Sequence, residues 1–353
     1  MIDVGIVTTI AEFALLEPFW DGMVEQSATA TCHSTFEWLF TWWKHFGTGE
    51  RQLLLVAAYE DDALVGVGPF YVGGGVVEPR SLHFLGQGLS DYADVIAPSN
   101  RVDIMEALWS AILEYKGAWN SLDLEEICDQ SMSIPVLGRK LALAHVAATW
   151  HQTVRCPYLP IRTGWQEFYS TMGKGFRHEV RNKQNRWIRL AQERGGLAEL
   201  TYVDRRDADS VLVDEIIALS AKRQLADGHR SPFLVHPDVE FLREVLPLMG
   251  RRNQLRIGEL RSGATLLAFV LSFFWKGITY TWNTQYDPDL TEFSLGRIVL
   301  VRVAEQAFSE GCTELNFMRG EEPYKFEWTS AFKTNLALRS CELIGQSGPG
   351  RSS

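Results

Sequence analysis

Residues 254–318 read QLRIGELRSGATLLAFVLSFFWKGITYTWNTQYDPDLTEFSLGRIVLVRVAEQAFSEGCTELNFM. Three runs rich in branched and aromatic residues, Gln254–Leu260, Leu266–Trp275 and Ile278–Gln285, are joined by short turns that carry Gly263 and Gly277. This is the pattern of consecutive strands. A helix over Leu295–Ser309 follows, stopped by Gly311, and then a strand at Leu315–Met318. Ahead of the meander stand a strand, Ala198–Val203, and two helices, from Asp207 to Gln224 and from Pro237 to Met249. The order is strand, two helices, three strands, helix, strand. It defines an α+β unit, and many unrelated domains share it, so order alone does not name a function.

Upstream of this unit the segment 174–189, KGFRHEVRNKQNRWIR, carries six Lys or Arg (Lys174, Arg177, Arg181, Lys183, Arg186, Arg189) against the one acid Glu179. It reads as helix over Gly175–Arg194, closed by Gly195-Gly196, with Lys174, Arg177 and Arg181 on one face. Such a face can meet phosphate, and a solvated charged face reads the same way. Pro157 and Pro160 forbid a helix interior at Val154–Ile161, and the domain boundary is placed there. A first unit precedes it. Phe36, Leu39, Phe40, Trp43 and Phe46 recur at helical spacing behind Ser34 as N-cap. Strands are expected at Leu53–Tyr59, Leu64–Val72, Leu82–Leu85, Ala93–Ala97 and Ser121–Glu125, with a helix over Arg101–Tyr115. The expected division is residues 1–160, residues 161–345 and a fraying tail, 346–353.

At 353 residues, two domains are the natural expectation. A net charge of −10 argues against a duplex-DNA binder, which carries a basic footprint. Cys32, Cys128, Cys156, Cys312 and Cys341 are scattered without CxxC or Cys/His ligand spacing, so neither a disulfide framework nor a metal site is expected. The opening MIDVGIVTTIAEFALL lacks the basic start of a signal peptide, and no apolar run reaches membrane-spanning length. The expected location is the cytoplasm. GxSxG, Walker A and HExxH strings are absent, which removes several enzyme classes.

Several strings in fixed order carry a family likeness: Tyr286-Asp287-Pro288, then Ser294-Leu295-Gly296 opening a helix, then Glu314-Leu315-Asn316-Phe317, then Arg319-Gly320-Glu321-Glu322-Pro323-Tyr324-Lys325. In the first half stand LHFLGQGLSDYADVIAP (residues 82–98) and STFEWLFTWWKHF (residues 34–46). Together they resemble the BioF2-like (CelD-type) acetyltransferases of the GCN5-related N-acetyltransferase (GNAT) class, which are related to the FemAB peptidyltransferases. The resemblance spans about Phe13 to Glu342. It implies an α+β chain of two tandem GNAT-like domains, each a mixed, mostly antiparallel sheet flanked by helices, and acyl transfer to an amine.

That chemistry needs an anchored donor, a neutral amine and a stabilised oxyanion. Ser294, Leu295, Gly296 and Arg297 stand at a helix entry, where free N–H groups and a positive dipole end suit a pyrophosphate. The sequence there has one Gly where acyl-CoA-binding relatives carry a longer Gly-rich loop, and an ordinary N-cap at Ser294 reads equally well. The resemblance gives Lys325 a role in handling the reacting carbonyl or a donor phosphate, and Tyr324 that of proton donor to the leaving group. Asp91 follows the Gly86-Gln87-Gly88 loop and is the candidate base, with turn former as the plain alternative. Arg177, Arg181, Tyr92 and Glu321 are the candidate substrate contacts. The expected co-substrate is an acyl-CoA, without metal, and the expected partner a small-molecule or glycan amine, in line with the polysaccharide or cell-envelope pathways of such relatives. Two alternatives stand beside it: a FemAB-like transferase that uses aminoacyl-tRNA, and a catalytically inactive GNAT-like scaffold.

Overall fold

The chain divides at Arg155: Met1–Arg155 and the segment from Lys333 onward form one unit, and Cys156–Phe332 the other. The computed structural model describes residues 1–74, 79–115, 117–194, 199–228 and 236–340. The tail 346–353 and the Gly195-Gly196 stop lie outside them.

In the first unit β1 (Ile2–Val7) leads into α1 (Ile10–Ala14), α2 (Glu17–Gln26) and α3 (Phe36–Phe46). The aromatic helix α3 is capped by Thr35, whose Oγ1 accepts from the Trp38 N–H at 3.4 Å, and not by Ser34. Ser34 ends a short 3-10 turn, where its own hydroxyl accepts from the Thr31 N–H. Next come β2 (Gln52–Glu60), β3 (Ala63–Gly73), β4 (Ser81–Phe84), α4 (Val102–Glu114), β5 (Ser121–Cys128), α5 (Ser133–Leu143) and β6 (Ala148–Pro160). The expected strand at Ala93–Ala97 is a single bridge, Ile96 to Val67. Strands β1 to β4 pair antiparallel and β4 pairs parallel with β5, Leu82 opposite Leu122. A parallel neighbour needs a crossover, and α4 supplies it. Its Ile104, Leu108, Trp109 and Ile112 recur at helical spacing and pack on Leu54, Val56, Phe70 and Phe84 of the sheet.

The second unit takes the last residues of β6, then α6 (Trp165–Thr171), α7 (Lys174–Arg194), β7 (Leu200–Arg205), α8 (Ser210–Asp227) and α9 (Asp238–Arg251). Helix α8 starts three residues later than its expected start at Asp207, because the Asp209 carboxylate caps it by accepting from the Leu212 N–H at 2.8 Å. It ends where Gly228 takes the left-handed conformation. The meander follows as β8 (Leu255–Ser262), β9 (Thr265–Trp275) and β10 (Ile278–Tyr286), then α10 (Leu295–Ser309), β11 (Glu314–Asn316) and α11 (Pro323–Phe326). Sheet order in this unit is β6-β11-β10-β9-β8-β7. Only β10 and β11 run parallel, and α10 is their crossover. Leu295, Ile298, Val299, Leu300, Val303, Ala304 and Ala307 are all buried, an apolar surface too wide for one stripe, as befits a helix covered on several sides. Gly258 lets α10 come close: a Cβ there would sit 2.3 Å from Val303 Cγ2.

The last strand, β12 (Phe332–Ser340), returns to the first unit and pairs antiparallel with β5, Asn335 opposite Cys128 and Leu338 opposite Leu124. The sequence alone places residues 333–340 in the C-terminal domain, whereas their pairing with β5 puts them in the first unit. Each unit therefore shows four antiparallel strands, a crossover helix and a parallel strand, a mixed and mostly antiparallel sheet flanked by helices.

Candidate functional site

The second unit opens where its two parallel strands separate. Their last pair is Tyr280 with Asn316, yet β10 runs on to Tyr286. Asn316 turns β11 away. Its Oδ1 accepts from the Met318 N–H at 2.9 Å, its Nδ2 donates to Glu314 Oε1 at 2.8 Å, and its carbonyl accepts from Thr281 Oγ1 at 3.1 Å. Met318 then takes a positive φ of 60°. Among the described residues no strand pairs with the far half of β10 on the β11 side, so main-chain N–H groups there face a cleft.

A cavity of about 330 Å³ occupies that opening. β10 contributes Thr284 and Tyr286, the connection to α10 Thr291 and Ser294, and α10 itself Gly296, Arg297 and Leu300. Phe176 comes from α7, and Tyr324, Glu327 and Trp328 from α11 and the turn after it. Four aromatic rings and Leu300 form apolar walls, and Thr284, Thr291, Ser294, Arg297 and Glu327 add polar groups, a mixture common in small-molecule sites. Gly296 lets the Tyr286 ring come close, since a Cβ would lie 3.0 Å from it.

Ser294 stands at the N-cap position of α10 with φ 50° and ψ 43°, and its side chain does not cap the helix. Its hydroxyl instead donates to Glu179 Oε1 of α7 at 3.2 Å. Glu179 Oε2 lies 3.1 Å from Arg297 Nη1, and Glu327 Oε2 lies 3.0 Å from Arg297 Nη2. The guanidinium also sits 4.9 Å from the centre of the Phe176 ring. A carboxylate thus rests at the positive end of α10, and one cation faces two anions.

Tyr324 lines the cavity, with 37% of its surface accessible. Protein surrounding the ring, and secondarily the Glu322 carboxylate, push its hydroxyl well above the ordinary phenol range. Lys325 is buried and does not line the cavity. Its Nζ donates to the Arg319 carbonyl at 2.7 Å and lies 2.9 Å from Glu322 Oε2, which ties the 319–322 loop to α11. Of the expected donor residues, Ser294, Gly296 and Arg297 meet at the cavity, while Leu295 is wholly buried in the core. Arg177 closes the turn before α7 by donating from Nε to the Met172 carbonyl at 3.1 Å; Arg181 and Glu321 are exposed. The sequence alone does not mark Glu179, Glu327 and Trp328 as site residues, and it shows Tyr286 only within a family string. Glu179 carried a faint signal, as the one acid of the basic segment.

Asp91 and Tyr92 belong to the first unit and are buried there. The Asp91 N–H donates to His33 Nδ1 at 3.2 Å, and its carbonyl accepts from Asn335 Nδ2 at 2.6 Å. A second acid, Asp94, accepts from the hydroxyls of Ser131 and Ser133 and from the Val95 N–H. Burial raises its carboxyl from 3.8 to about 6 against these hydrogen bonds. The folded state therefore holds the proton more tightly than the unfolded chain, and stability should fall as pH rises from about 4 to 6. The loss amounts to at most about 3 kcal/mol. Asp94→Asn should flatten that slope in thermal unfolding scans between pH 4 and 7; an unchanged slope would refute the assignment.

Among the described residues no group of three or more His, Cys, Asp or Glu side chains is placed to hold a metal, and no helix is long and apolar enough to cross a membrane.

The strand order, the separation of β10 from β11 and the cavity at the start of α10 are features of a GNAT-type fold. Residues 177–326 match the family described as acetyltransferase (GNAT) domain, and the second unit carries that domain. No curated protein matches the chain in sequence. Among solved structures the fold is similar to that of FemX, at 11% identity over 97% of both chains with a TM-score of 0.63. It is also similar to the C-terminal domain (DUF2156) of a lysylphosphatidylglycerol synthetase from Agrobacterium fabrum, at 12% identity, covering 94% of this chain and 92% of that one, TM-score 0.57. A tandem GNAT protein from the clavulanic acid biosynthesis pathway superposes at 12% identity over 99% and 100%, TM-score 0.51. At such identities the likeness speaks for the fold alone: two tandem GNAT-like domains, as in these structures.

Proposed function

We propose that this chain is an N-acyltransferase that seats an activated acyl group in the second-unit cavity and passes it to an amine of a small molecule or glycan. The observation that carries this reading is the opening between β10 and β11, filled by the aromatic cavity that ends on Tyr324. The amine nitrogen forms a bond to the donor carbonyl carbon, and the carbonyl oxygen becomes an oxyanion. Main-chain N–H groups of Thr281–Tyr286 that point away from β9 are the candidate donors to it. When the tetrahedral intermediate collapses, the bond from carbon to the leaving sulfur or oxygen breaks. Tyr324 gives its proton to that atom; the proton shed by the amine passes to solvent, from which Tyr324 is reprotonated. Its raised pKa means that the phenol carries its proton throughout the neutral range.

Acyl-CoA is the first donor class to test, because the matched domain is an acetyltransferase domain. An aminoacyl ester, as in the FemAB-like reading, is favoured by one observation: Arg297, the cation expected to hold a phosphate, is engaged by two carboxylates. The experiment supplies acetyl-CoA, longer acyl-CoAs and aminoacyl-tRNA with a panel of amines and follows acyl-amide formation by mass spectrometry. Amide product from any of these donors is the expected result. No product from all of them would favour the inactive-scaffold alternative.

A further inference from the structure

Taking the cavity as the donor site, we propose that Glu179 and Glu327 determine its specificity: they cancel Arg297 and make the seat at the head of α10 accept a cation in place of an anion. The geometry is direct. Arg297 Nη1 lies 3.1 Å from Glu179 and Nη2 lies 3.0 Å from Glu327, so both ends of the guanidinium fork are taken. Ser294, a natural hydroxyl for a phosphate oxygen, donates to Glu179 instead. The carboxylate of Glu179 therefore stands where the dipole of α10 would draw an incoming anion. A phosphate reaching this point must displace a tethered carboxylate and meets the field of a second one.

Within the Arg297, Glu179 and Glu327 triad one negative charge is in excess, beside four aromatic rings. Phe176, Tyr286, Tyr324 and Trp328 line the cavity, and ring faces attract a cation. Arg297 over Phe176 and Arg223 over Tyr286, at 4.4 Å, show two of these rings already serving that purpose. The ligand chemistry that fits is an alkylammonium close to the reacting carbonyl. It can come from the α-amino group of an aminoacyl donor or from the amine acceptor; the cavity's place at the head of α10 favours the donor.

Binding measurements separate the possibilities. The probes are CoA, adenosine carrying a 3′-amide-linked alanyl group, the N-acetylated form of that compound, and butylamine as a bare ammonium. For the wild type the alanyl compound should bind about tenfold more tightly than its N-acetyl form, a difference of ~1.4 kcal/mol. Glu179→Gln and Glu327→Gln, each at a residue with roughly 40% of its side chain accessible, should fold as the wild type does, erase that preference and tighten CoA binding by a similar factor. Equal binding of the two adenosine compounds would overturn the proposal, as would a preference that survives both substitutions or weaker CoA binding in the variants. Butylamine binding as tightly as the alanyl compound would overturn the donor assignment. Ammonium preference without amide formation from any donor would sink the enzyme reading alone; amide formation without the preference would sink this one alone.

Discussion

Replacing Tyr324 with Phe should lower kcat for acyl transfer by about 100-fold or more while the KM for the donor stays within about threefold. The substitution keeps the ring that lines the cavity and removes only the hydroxyl. Binding through the aromatic wall then survives, while the leaving sulfur or oxygen must depart without a proton from the enzyme. The cost should follow the leaving group: large for a poor one such as an alcohol, smaller for a thiol that leaves readily as its anion. Steady-state kinetics with both donor classes measure this directly. A kcat within threefold of wild type for both would remove Tyr324 as the proton donor. Lys325→Met is the informative companion. Because the ammonium is bound to the Arg319 carbonyl and Glu322, its loss should lower thermal stability as well as turnover.

The second large effect is expected at Asn316. It is fully buried, and one side-chain amide both holds Glu314 and receives the Met318 N–H. Asn316→Ala leaves a buried main-chain N–H unsatisfied and frees the carboxylate, which costs about 2–4 kcal/mol. Calorimetry should show a drop of several degrees in the second unit's transition. The functional consequence is larger than the stability loss alone. Without this hook, β11 can extend its pairing along β10 and narrow the cleft, so the donor KM should rise at least about tenfold even at temperatures where the variant is folded. A destabilised variant with an unchanged KM would show that the separation of the strands does not depend on Asn316.

How far the sequence could be read follows from the physics of each segment. The meander and α10 were legible because period and punctuation agree there: β-branched runs, Gly263 and Gly277 in the turns, and a long apolar helix stopped by Gly311. Strand β12 was not. FKTNLALRS alternates like any strand, but nothing local says that it crosses back to pair with β5, a contact more than 200 positions away in sequence. Helices α1, α2, α5 and α6 were overlooked because they are short or interrupted, Pro18 and Pro135 falling near their starts. Thr35 rather than Ser34 caps α3 because the 3-10 turn before it consumes Ser34, and adjacent hydroxyl residues offer no way to choose.

The site was half legible. Ser294, Gly296, Arg297 and Tyr324 were singled out by motif, and they line one cavity. What the motif could not convey was the partnership of charges. Glu179 stood out only as the odd acid in a basic helix, 118 positions ahead of Arg297, and Glu327 lay just past the quoted string. The resemblance points to Lys325, and its ammonium is held by the Arg319 carbonyl and Glu322. Charge and hydroxyl are visible in a sequence, whereas the groups that neutralise them are set by tertiary packing.

We propose that the second-unit cavity holds the acyl donor. Hydrogen–deuterium exchange of the full chain, with and without a non-hydrolysable acyl-CoA thioether or the 3′-amide-linked alanyl adenosine, tests it most directly. The prediction is that at least one of the two slows exchange in peptides spanning Thr281–Leu300 and Tyr324–Trp328, with little change elsewhere. Protection confined to the first unit, around Gly86–Tyr92, would contradict it.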